Sequence, residues 1–117
     1  MKSDVVTLTI DMRFAAENIN QAVQLLVSGS GRIEAKPGCM DCLVSRDSIS
    51  ESRVRYSETW NPESAFLRHL QSEEFRRVLF AMDMCSEEPQ VAIGKFAGHT
   101  GLVYLQQLCD RQGAGET

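Results

Sequence analysis

Three side chains from one short stretch hold most of the reactive chemistry of this sequence: Glu58, Trp60 and His69. They are a carboxylate, the only indole and one of two imidazoles. An imidazole titrates near neutral pH, so it can take a proton from a bound ligand. A carboxylate beside it holds its tautomer or stabilises the imidazolium that forms. The spacing lets the three converge. Val54, Tyr56, Glu58 and Trp60 alternate with Arg53, Arg55, Ser57 and Thr59, which puts one acid among large apolar side chains on one face of a strand. The strand stops at Asn61-Pro62, where Asn61 is expected to cap a helix and Pro62 to open it. On that helix Ala65, Phe66, His69 and Leu70 form the stripe that turns back toward the strand. An acid on an apolar strand face is costly to bury unless it is paired, and its partner is either His69 or a structural arginine such as Arg68.

The rest of the chain must supply the scaffold. Its 117 residues suit one core, expected to span residues 1–110 with a loose tail over 111–117. Hydrophobic residues at 43% and charged residues at 24% are globular values. A net charge of −4, with only short arginine pairs, speaks against nucleic acid or an anionic membrane surface as partner. No apolar run reaches the roughly 20 residues of a spanning helix, and MKSDVVTLTID has an acid where a signal peptide needs apolar residues. A cytoplasmic protein is expected.

Val6, Leu8, Ile10 and Met12 alternate with polar residues through Arg13, the strongest strand signal in the chain. From Ala16 the period changes, and Ile19, Ala22, Val23 and Leu26 mark a helix that Ser28-Gly29-Ser30-Gly31 should stop or fray, unless Ile33 and Ala35 continue it. Pro37-Gly38 turns the chain into a second strand carrying Met40, Cys42 and Val44, which forms a hairpin with the strand through Trp60. Ser72 caps a further helix, with Glu73 and Glu74 at its positive end and Phe75, Val78, Leu79 and Met82 as its buried stripe. Val91 and Ile93 suggest a last strand, and Gly101–Cys109 fits strand or helix. Cys39 and Cys42 have the spacing of half a metal or redox site. Residues three apart on a regular strand point to opposite faces, however, so reduced thiols and no metal are expected. His99, in a glycine-rich loop, is expected to be exposed.

Strand, helix, strand, strand, helices, strand is the order of an α+β, ferredoxin-like antiparallel sheet with helices on one face. The other face carries Thr7, Thr9, Asp11, Arg13, Asp41, Arg53, Arg55, Ser57 and Thr59. It meets either water or a second copy of the chain that pairs those charges across a two-fold axis.

The sequence resembles the antibiotic-biosynthesis-monooxygenase-like domains of the dimeric α/β-barrel superfamily. Pro37-Gly38-Cys39 opening the second strand carries the resemblance, with Glu58-x-Trp60 closing the third. So does Trp60-Asn61-x-x-Ser64-Ala65-Phe66-x-x-His69-Leu70-x-Ser72-x-x-Phe75 running into the helices. The resemblance implies a homodimer with one pocket per chain between sheet and helices. In enzymatic members it also implies oxidation of quinols or polyphenols by O2 with neither metal nor flavin. Some members degrade haem with an asparagine on the first strand, which VVTLTIDMR lacks. Others are isomerases.

Triplet O2 reacts slowly with closed-shell organics, so a cofactor-free site must first deprotonate its substrate to make it electron-rich. His69 is then the base and Glu58 its support. Trp60 offers its N–H to a phenolate and its ring as a wall, while Tyr56, Phe66, Phe80, Met82 and Met84 line the pocket. Set against this cofactor-independent monooxygenase acting on a small aromatic substrate is a non-catalytic dimeric domain binding an apolar metabolite. It would show no room beside His69, or Glu58 locked to an arginine.

Overall fold

The computed structural model describes residues 4–97 together with Cys109. In order they form β1 (Asp4–Arg13), α1 (Ala16–Glu34), β2 (Cys39–Arg46), β3 (Arg53–Trp60), α2 (Glu63–His69), α3 (Glu73–Asp83) and β4 (Gln90–Ala97). The strands make one antiparallel sheet ordered β2-β3-β1-β4, so the fold is α+β and ferredoxin-like. Val6, Leu8, Ile10 and Met12 of β1 lie opposite Trp60, Glu58, Tyr56 and Val54 of β3, and all eight are buried. One register thus collects the core and carries an acid into it. The loop and tail readings at His99, over 101–108 and from Arg111 lie outside the described residues.

α1 runs unbroken through the serine–glycine stretch to Glu34. Ser28 and Ser30 turn their hydroxyls onto the carbonyls of Leu25 and Val27. Gly29 is buried against the Arg77 side chain of α3, and Ile33 returns the stripe to the core. α2 begins one residue later than its expected start. Pro62 is extended and occupies the cap position with no side-chain cap, and Asn61, joined to it by a cis peptide bond, donates its backbone N–H to Gly38 O at 2.8 Å. In α3 the Ser72 hydroxyl accepts from Phe75 N–H. The buried stripe is Phe75, Val78 and Ala81; Leu79, expected inside, is exposed, and Met82 is half-buried.

The hairpin corrects one expectation. A bulge between Cys39 and Asp41 shifts the register, so Cys39 pairs with Trp60 and Cys42 with Glu58, two core-facing residues of β3. Both thiols therefore lie on the same sheet face instead of opposite ones. Both are free, and burial pushes Cys39 up to about 12 and Cys42 to about 11. On the uncovered face Asp11 accepts from Arg55 at 3.2 and 3.4 Å and pairs with Arg53 at 3.5 Å. Those charges pair within one chain because β1 and β3 set them side by side.

Candidate active site

β3 projects Tyr56, Glu58 and Trp60 into the core, and α2 lays His69 over them. The close approach is made at Gly38, whose φ of +92° belongs to the left-handed region. A Cβ there would stand 2.5 Å from the Ala65 Cβ. This tight turn sets the connection between α1 and β2 against α2, and with it Lys36.

Glu58 is fully buried, and three groups meet its carboxylate. Trp60 Nε1–H donates to Oε1 at 2.8 Å, the Tyr56 hydroxyl donates to Oε2, and His69 Nε2 lies 3.0 Å from Oε2. On the other side of the ring, Lys36 Nζ lies 3.0 Å from His69 Nδ1. An ammonium only donates, so Nδ1 is the acceptor and Nε2 carries the proton that goes to Glu58. Burial and the neighbouring Glu58 carboxylate push the Tyr56 phenol up, which keeps it a donor. Cys42 Sγ–H donates to the same phenol oxygen at 3.3 Å. The His69 ring stacks on Trp60 with centroids 4.7 Å apart and meets the edge of Phe75 at 5.3 Å. Lys36 also pairs with Glu74 at 2.9 Å, and this contact holds the Glu74 carboxyl below the usual range.

A cleft of about 190 Å³ opens beside this network. Trp60 and His69 reach it from the core, Pro37 and Ala65 give it apolar walls, and Lys36, Arg68 and Ser72 bring polar groups. The Nδ1 edge of His69 faces it, since the neighbours of Nδ1, Lys36 Nζ and Ser72 Oγ, belong to cleft residues whereas Nε2 points to buried Glu58. A larger cleft of about 420 Å³ lies at the other end of β3, between Asp11, Arg13, Arg53, Glu87 and Glu88. Arg13 pairs with Glu87 there and Arg53 with Asp11, and none of its charged groups is a buried acid or base. The buried acid and imidazole lie beside the smaller one.

The structure brings Glu58, Trp60 and His69 into direct contact but spends the Trp60 N–H on Glu58 and stacks its ring on His69, so the N–H is not free for a ligand. Arg68 is no partner of Glu58. Of the expected lining, Tyr56 and Phe66 are buried in the core, and Met82 and Met84 pack against it from outside. Phe80 is 64% exposed and lines a separate surface cleft with Leu25, Arg76 and Arg77. None of the five lines the cleft beside His69. Lys36 and Cys42 were missed as members of the network. Lys36 stands just before the Pro37-Gly38 turn, the one local signal, but its contact with His69 spans 33 positions. Among the described residues no three His, Cys, Asp or Glu side chains gather to hold a metal ion, and no helix is long and apolar enough to cross a membrane.

Comparison with known proteins adds the family. The family model for antibiotic biosynthesis monooxygenases matches residues 5–79. No curated protein matches the chain. Among solved structures, a conserved protein from Methanosarcina mazei Go1 superposes with TM-score 0.70 at 16% identity, over 77% of this chain and 90% of that one. A structure described as an antibiotic biosynthesis monooxygenase gives 0.68 at 17% identity, over 76% and 95%. A candidate antibiotic biosynthesis monooxygenase from Deinococcus radiodurans gives 0.68 at 21% identity, over 76% and 89%. At these identities the likeness is one of fold.

Proposed function

The chain belongs to the antibiotic biosynthesis monooxygenase family, and from that premise we propose that it is a cofactor-independent monooxygenase that oxidises a small aromatic quinol or polyphenol with O2 in the cleft beside His69. The observation that carries this reading is the buried Glu58–His69 contact at 3.0 Å with Nδ1 turned to the cleft. A phenolic O–H placed at Nδ1 displaces Lys36 Nζ and gives its proton to the ring. Glu58 then holds Nε2–H and stabilises the imidazolium, as a buried carboxylate behind a catalytic histidine does. The electron-rich ring supplies four electrons to O2. One oxygen atom enters the ring and the other leaves as water, converting a quinol into a hydroxyquinone.

Room beside His69, and a Glu58 whose partners are Tyr56, Trp60 and His69 instead of an arginine, support this reading over a non-catalytic binding domain. Oxygen-electrode assays over a panel of quinols test it. Uptake with at least one quinol is expected, falling by about 100-fold or more in His69→Ala. No uptake with any quinol, or an unchanged rate in that variant, overturns it. The same reading includes a homodimer formed through the uncovered sheet face. A sedimentation mass of one chain at micromolar concentration would remove that part.

A further inference from the structure

The geometry points to a single-ring aromatic anion, a phenol bearing a carboxylate, as the ligand class of the cleft, with Lys36 and Arg68 holding the carboxylate and the ring lying against Pro37 beside Trp60. This rests on reading the cleft beside His69 as the ligand site. Size gives the first argument: about 190 Å³ is below the roughly 300–1,000 Å³ of most ligand pockets, so one ring fits and a fused polycycle does not. Charge gives the second. The chain carries a net −4, yet two cations and no acid line this cleft. Arg68 is exposed and has no ion pair among the described residues, although α2 also carries Glu63, which pairs instead with Lys95. Lys36 already pairs with Glu74 at 2.9 Å, so among the described residues Arg68 is the unpaired cation of the cleft and Lys36 adds a second donor beside it. The third argument is the placing of the apolar surface. Pro37, Ala65 and the small exposed part of Trp60 give the cleft apolar surface next to the two cations, as an aromatic carboxylate requires. The clefts at the other end of β3 and beside Phe80 lack this. The charges around Asp11, Arg53 and Arg55 neutralise one another, and the one beside Phe80 has no buried acid or base behind it.

Trp60 is the only tryptophan, so its fluorescence reports this cleft alone. The test compares para-hydroxybenzoate with para-hydroxybenzamide, which match in shape and differ by one charge. Both are titrated under argon so that no turnover intervenes. The acid is expected to bind about tenfold tighter than the amide or better, with the margin shrinking as salt rises. Arg68→Met keeps the aliphatic stem at an exposed position and should cut that preference by at least about threefold. In the double variant with Lys36→Met the preference should fall to within about twofold, while amide affinity shows that the cleft survives. If Lys36→Met fails to fold, Arg68→Met alone decides. Equal affinities in the unmodified protein, no quenching by either compound, or a preference reduced less than about threefold by Arg68→Met would overturn the assignment. A failed oxygen-uptake assay overturns the oxygenase reading and leaves this result standing, because binding is measured without O2.

Discussion

β3 carries charged side chains on both faces, and the two faces treat them in opposite ways. On the uncovered face Arg53 and Arg55 reach Asp11, with the Arg55 side chain 59% exposed. On the covered face Glu58 is fully buried and holds Tyr56, Trp60 and His69 at once. The outer pairs have water as an alternative partner, so losing one costs little. The inner carboxylate has none, and each of its neighbours would be left as an unpaired buried donor. Counting ion pairs would rank the outer face first; desolvation reverses that ranking.

Variants can break or sharpen this contrast. Glu58→Ala should have the largest effect, destabilising the fold by about 3–5 kcal/mol, because three buried donors lose their acceptor together. Thermal unfolding followed by circular dichroism should then shift down by more than about 12 °C. A shift like that of a surface variant would mean that the inner network is wet, and the contrast would fail. Gly38→Ala comes next at about 2–3 kcal/mol, read from urea midpoints, because the new Cβ meets Ala65 at a left-handed φ. It should also weaken ligand binding by displacing Lys36. Arg55→Ala should be the smallest, within about 0.5 kcal/mol at moderate salt, with any difference fading as salt rises. A loss above about 2 kcal/mol there would show that the outer face is covered by something that excludes water.

Much of the architecture was legible because alternation and helical spacing are written locally. Val6 to Met12 and Val54 to Trp60 announce their strands, and the acid at Glu58 stands out against its neighbours. Three details were not legible, each for a stated reason. The helix α1 crosses Ser28–Gly31 because Gly29 packs on α3, a contact the local sequence does not contain. The bulge at Cys39/Asp41 turns two thiols to one face, and periodicity assumes no bulge. Leu79 and Phe80 are apolar by type but face outward, since α1 covers only one side of α3.

By itself, the order of residues determined that an acid, an indole and an imidazole ride on the inner face of one strand and the helix after it, because side-chain direction follows from backbone period. The folded chain alone decided what each group is joined to. Trp60 gives its N–H to Glu58, Lys36 arrives from a turn 33 positions before His69, and the ring is left with one nitrogen toward the cleft. Hydrogen bonds to a buried carboxylate are settled by distance and direction in space, and neither is encoded in spacing along the chain.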